Sequence, residues 1–205
     1  MTIEEELKAF YDKCGFGNAL GSRARTVPVY TGCILVPLPN IETRRRFLKY
    51  HDIHHLVTGY SVGRIGEGEL SAWELGAGSA FISPMLGIMN LIALSTGLVL
   101  KPKRMWRAFQ CGCRSYTLYP ETMRAQVHRG YWASTDGLRS DILGTRLRHV
   151  PEALRRVEFG IYCVLAMGIH SGLAIPAVMA RFITDICLGN SVFQAVKAKK
   201  RIDLY

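Results

Sequence analysis

Three side chains able to bind a metal stand close together in the segment HDIHHLVTGYSVGRIGE, residues 51–67. His51, Asp52 and His55 sit at i, i+1 and i+4. On a helix turning 100° per residue they point to about 0°, 100° and 40°, so one flank carries all three. Two neutral imidazoles and a carboxylate suit a divalent ion of the zinc type. Gly59, Gly63 and Gly66 then break the helix, and Glu67 can return a second carboxylate. Four ligands, His51, Asp52, His55 and Glu67, are therefore expected around one divalent metal, zinc being the expected ion, with room left for water or substrate. The two carboxylates offset the charge of the ion while the imidazoles bind uncharged. His pairs at helical spacing are common without a metal. Here, however, Leu48 and Ile41 extend the ligand flank as an apolar face, and ionisable groups on a buried face need partners.

Two further residues follow from the same geometry. Arg44 lies at about 20° on the wheel, roughly 10 Å back along the axis, where it can meet an acidic substrate group. Glu74 follows Glu67 by seven residues and faces within about 20° of it, some 10 Å further on. That is too far to bind the same ion, so Glu74 is expected to act catalytically. A raised pKa beside an apolar wall would let it carry a proton to a bound substrate.

The spaced set His51-Asp52-x-x-His55, eleven residues, then Glu67 resembles the signature of the ubiquinone (coenzyme Q) biosynthesis family numbered four. Arg46, Gly59, Gly66, Trp73-Glu74, Trp132 and the closing LRSDILG extend the likeness over 46–144. His54 stands where an apolar residue is common, and the chain continues well beyond Gly144. The resemblance implies action on a polyprenylated hydroxybenzoate or related aromatic acid. The implied reaction is removal of the ring C1 carboxylate coupled to hydroxylation there, a metal-dependent decarboxylase (lyase) activity. The alternative is a non-catalytic isoprenoid-lipid carrier, or an organiser of other quinone-biosynthesis proteins. A phosphohydrolase of the HD type is disfavoured, because no histidine precedes His51.

The elements that must hold these groups read as helices. Thr2 with Glu5 makes a capping box for a helix carrying Ile3, Leu7, Phe10 and Cys14. Residues 16–26 read as a basic loop. Residues 27–39 are apolar but broken by Pro28, Pro37 and Pro39, so they read as an extended segment covering the core and not as a central strand. Asn40 is placed to cap the metal helix, 41–57. Residues 75–100 carry no charge. Their glycines, serines, Pro84 and Asn90 favour a buried helix pair or a lipid-lined pocket over a spanning helix. Helices are expected over 101–114, over 120–129 behind Pro120, over 138–143 after a turn at 130–137, and from Pro151 onward. That last stretch holds a second uncharged run, 159–180, interrupted by Pro176, with His170 as a core or pocket histidine. The expected fold is all-α: one domain over 1–205, a metal-binding core at 41–144 and a helical C-terminal extension at 145–205.

The chain has 205 residues, 49% of them hydrophobic, and a formal net charge of +10. Such a charge points to an anionic partner. No RNA- or DNA-binding motif is present, so nucleic acid is not expected. The basic end VKAKKRIDLY suits an anionic membrane surface. The expected partners are thus a polyprenylated aromatic acid or isoprenoid lipid, an anionic membrane and a second copy in a homo-oligomer. The six cysteines show no secreted framework and no C-x2-C clip, and read as reduced thiols. The acidic start, MTIEEELKAF, does not read as a signal peptide. A cytoplasmic protein, peripheral on the inner face of the membrane, is the expectation.

Overall fold

The computed structural model describes residues 1–14, 26–31, 34–146 and 150–187. Of the expected basic loop (16–26) only Thr26 is among them, and Cys33 and the basic end lie outside. Among the described residues the fold is all-α apart from one two-stranded hairpin. Helix α1 spans Ile3–Cys14, and its capping box forms: the Thr2 amide donates to Glu5 Oε2 (2.9 Å), and the Glu5 amide donates to Thr2 Oγ1 (3.3 Å). Strands β1 (Thr26–Thr31) and β2 (Ile34–Pro39) pair antiparallel, with Thr26 opposite Pro39 and Thr31 opposite Ile34. The segment is extended, as its residues require, but it pairs with itself. In a two-stranded ribbon every strand is an edge, and there the missing N–H groups of Pro28 and Pro37, which face each other, are tolerated.

The metal helix, α2, spans Glu42–Thr58. Its N-cap is Ile41 and not Asn40: the Asn40 side chain accepts from Arg44 Nη1 (3.4 Å) and makes no cap. Gly59 ends the helix at φ +75°, a left-handed conformation that glycine adopts at low cost. Helix α3 (Arg64–Gly76) follows at once, and Gly66, expected to break the helix, lies inside its first turn.

The uncharged run 75–100 does not form one rod. It is divided among the end of α3, the single turn α4 (Ser79–Ile82) and α5 (Pro84–Leu100). Pro84 opens α5, where its lost N–H has no helical partner in any case. Helix α6 (Pro102–Cys113) returns against α3, then come α7 (Glu121–His128) and α8 (Thr135–Ile142). Helix α8 starts earlier than expected because the Ser134 hydroxyl accepts the Gly137 amide as an N-cap. Helix α9 (Glu152–Cys187) runs straight through Pro176, where an interruption was expected. Among the described residues no helix is long and apolar enough to cross a membrane, and Cys14, Cys111, Cys113, Cys163 and Cys187 are free thiols.

Helix α3 is the centre of the molecule. Leu70, Ala72, Trp73 and Leu75 are fully buried, packed with Ile53 of α2, Leu94 of α5 and Phe109 of α6. Glycines set how close its neighbours come. A Cβ on Gly112 would overlap the Trp73 carbonyl, one on Gly76 the Phe109 carbonyl, and one on Gly68 the Gly97 backbone. The α3–α6 contact is further tied by a two-pronged ion pair, Arg104 Nε to Glu69 Oε1 and Nη2 to Glu69 Oε2, both 2.7 Å.

Candidate metal centre

Helices α2 and α3 bring His51, His55 and Glu67 together. One ligand atom from each lies within 4.8 Å of the others. The turn between the two helices makes this approach possible: a Cβ on Gly66 would collide with the Ser61 carbonyl and hydroxyl. Glu67 Oε1 lies 3.3 Å from His55 Nε2, and Glu67 Oε2 lies 3.3 Å from His51 Nε2. The group is open on one side: the Glu67 side chain is 37% exposed and His51 21%, whereas His55 is 1% exposed.

The two histidines are oriented from behind. His55 Nδ1 donates to the Tyr60 carbonyl (2.9 Å), an oxygen that can only accept. In neutral His55 this leaves Nε2 as a lone pair, buried, without a hydrogen-bond partner, and facing a carboxylate oxygen. In that form two electron-rich atoms face each other, which a cation between them relieves, either a metal ion or a proton on Nε2. His51 Nδ1 lies 3.0 Å from Glu74 Oε1, so Glu74 can hold the Nδ1 proton and leave Nε2 toward the group. A carboxylate behind a ligating imidazole is the usual way of fixing tautomer and ring orientation at a metal. The donor set therefore fits a divalent ion.

Asp52, the fourth expected ligand, is placed differently. Its Oδ2 accepts from the Tyr11 hydroxyl of α1 (2.9 Å), and it is not in the converging group. Burial raises its pKa, against the pull of His51 and the Tyr11 hydrogen bond. Helix α1 also lays Phe10 over His55, ring centroids 6.1 Å apart.

Glu74 is the clearest correction. It is completely buried, and its Oε1 collects three partners: His51 Nδ1, His54 Nδ1 (2.8 Å) and the Tyr119 hydroxyl (2.6 Å). The expectation of a raised pKa is overturned. Burial favours the neutral acid, but the charge of His51 and the hydrogen bonds from His51 and His54 outweigh it and hold the carboxyl well below the usual carboxylate range. Seven residues along the helix do separate Glu67 from Glu74. The His51 ring spans that gap, with Glu67 on one nitrogen and Glu74 on the other. The His51 pKa is raised well above its ordinary value: burial opposes the charge, and the two carboxylates more than compensate. Glu67 in turn is held low, the opposing effect of burial being overcome by His55 and His51.

Arg44 is half-buried in the first turn of α2. Burial lowers its pKa, and Asp52 and Glu67 partly restore it, so its charge lies on the side of the carboxylates as the wheel requires. Arg46 is exposed and rests over the Phe47 ring, 5.5 Å from its centroid. A cleft of about 440 Å³ lies beside Arg46, Phe47, Tyr119 and Arg124 and includes none of the three converging residues. His170 is half-buried on α9 and outside the group.

Four supporting features escaped the sequence. His54 is fully buried: it takes the Leu118 amide on Nε2 (2.9 Å) and gives its Nδ1 proton to Glu74, and burial lowers its pKa. Tyr119 pins Glu74 from the segment before α7, and Tyr11 holds Asp52. Arg139, inside the LRSDILG run, donates from Nε to the Val57 carbonyl (2.8 Å) and from Nη2 to the Leu56 carbonyl (2.9 Å). It thereby satisfies the last turn of α2, whose carbonyls have no helical partner. In the same run Asp141 accepts from Trp132 Nε1 (2.7 Å). Position in the LRSDILG run was the only sequence signal for Arg139, and Tyr119 and Tyr11 had none. Compared with known protein families, with curated proteins and with solved structures, the chain gives no match in any of the three.

Proposed function

We propose that this protein is a metal-dependent enzyme of the ubiquinone-biosynthesis type, acting on a polyprenylated hydroxybenzoate or a related aromatic acid. The observation that carries the reading is the buried, partnerless Nε2 of His55 facing Glu67, with His51 completing the group. His51, His55 and Glu67 would hold a divalent ion, zinc being the ion their nitrogen and oxygen donors suit. A bound ion there supplies Lewis acidity toward carboxylate or phenol oxygens. Glu74 orients His51, and the Tyr60 carbonyl orients His55. Arg44 offers its charge to the acidic head of the substrate. The open face beside Glu67 admits the ring. The net change replaces the C1 carboxylate by a hydroxyl and releases carbon dioxide, a two-electron oxidation of the ring acid that consumes dioxygen as the oxidant. We place the protein on the inner face of an anionic membrane, held peripherally, where such a substrate dissolves.

The test is turnover of a prenylated 4-hydroxybenzoate by purified, metal-loaded protein under air, read as carbon dioxide released and hydroxylated ring formed. Release of carbon dioxide that disappears in His55→Ala supports the reading. Retention of an isoprenoid lipid without turnover favours the non-catalytic carrier instead.

A further inference from the structure

Helix α9 has two unlike sides. Phe159, Tyr162, Ala166 and Ile169 pack inward on the core, beside Trp106 and Phe109 of α6. The opposite side is apolar and uncovered among the described residues. Its middle is Gly168, where an added Cβ would meet nothing within 4 Å. Toward the N-terminus the stripe continues as Val164, Ile161, Val157 and Leu154, at steps of four, three, four and three. Toward the C-terminus it continues as Gly172, Ile175, Met179 and Phe182, at the same four steps. On a helical wheel all nine positions fall within about 60° of Ile161, and Arg155 and Arg156 point more than about 110° away. Glu158, at the margin, is occupied by Arg155.

This spacing reads the same in both directions from Gly168. A surface of that kind is complementary to itself about a two-fold axis, the requirement of an isologous dimer. We propose that the outward stripe of α9 pairs antiparallel with the same stripe of a second copy of this chain. Gly168 then crosses Gly168 of its partner, Val164 fills the space over Gly172, and Ile161 meets Ile175. Val157 and Leu154 meet Met179 and Phe182. A parallel pair would set each residue against its own copy; the antiparallel pair instead seats Val164 over Gly172 and also opposes the two helix dipoles. The glycines let the axes approach toward the lower end of the roughly 8–10 Å range for packed helices.

The area is sufficient. Side-chain-bearing members of the stripe are between 37% (Phe182) and 73% (Val164) exposed. With the flanking Leu165 and Ile183 they present on the order of 800 Å² of apolar surface, about what one partner of a standard interface contributes. Soluble monomers rarely leave so large an apolar patch uncovered. The stripe holds no charge, so an anionic head group or nucleic acid has nothing on it to recognise.

The pairing is independent of the metal reading and is tested by mass. Sedimentation of the full chain at tens of micromolar should give a species of twice the 22.9 kDa chain. Ile161→Glu and Ile175→Lys should each yield a monomer with unchanged helicity by circular dichroism. The double variant Ile161→Glu/Ile175→Lys should regain the dimer, because antiparallel pairing sets each new carboxylate against a new ammonium. In parallel pairing the double variant sets like charges together and stays monomeric. Val157→Glu with Met179→Lys repeats the test at an independent pair. A monomeric wild-type chain, single variants that remain dimeric, double variants at both pairs that stay monomeric, or wild-type association only with phosphatidylcholine–phosphatidylserine vesicles would each overturn the proposal.

Discussion

His51 lies between two carboxylates, and their different burial gives them different work. Glu67 is partly open and shares its oxygens between two imidazoles; Glu74 is sealed behind His51 and ties it to His54 and Tyr119. Glu74→Gln should therefore weaken metal binding by about 10–100-fold, the usual effect of losing an orienting partner behind a ligand; metal titration measures it. Undiminished affinity would show that His51 keeps its orientation without the carboxylate. Asp52→Asn should leave most of the metal in place, since Asp52 is engaged by Tyr11 outside the converging group. Elemental analysis showing its loss would mean that Asp52 turns from Tyr11 to the ion. His54 is more than a bystander beside these residues. His54→Ala would strand the buried Leu118 amide and take one of the three hydrogen-bond partners from Glu74, a cost of about 2–4 kcal/mol that denaturant unfolding should register.

At the level of elements, α3 brings both carboxylates to the site, and contact through glycine fixes its position. Gly112 of α6 rides on the Trp73 carbonyl, one residue before Glu74. Gly112→Ala would push backbone against backbone, which no rotamer change relieves. We expect a loss of about 1–3 kcal/mol in stability, with weaker metal binding as α3 shifts. Thermal unfolding with and without metal separates the two effects; a variant as stable as the wild type would show that α6 can retreat freely. Helix α2 is fixed at its other end by Arg139, which explains why a run some eighty residues from the metal ligands belongs to the same unit.

Over the whole molecule, apolar surface is distributed unevenly. The run 75–100 is folded into the core by the breaks at α4 and Pro84. Much of α9 remains outside, together with Phe81, Met85 and Ile88 near the start of α5. The peripheral membrane attachment proposed above rests on the net charge of +10 and has its own test. Protein bound to anionic membranes should be released by high salt or by carbonate, as seen by fractionation and blotting. Resistance to both washes would show an embedded segment.

The local pattern was enough to place α1 with its capping box, α2 with His51 and His55 on one flank, Glu67 returning after the glycine turn, and an all-α fold. Each of these is set by periodicity or by residues close in the chain. The sequence could not show that Asp52 meets Tyr11 from another helix, because that contact spans 41 positions. Nor could it show that Glu74 is ionised. Wheel geometry placed Glu74 near an apolar wall, and an apolar wall alone raises a carboxyl pKa. The charge of His51 and the hydrogen bonds from His51 and His54 reverse the sign, and only the packing of α2 against α3 brings them there. The same limit applies to α9: its steps are legible along the chain, but which side is covered was decided by how α5 and α6 pack against it.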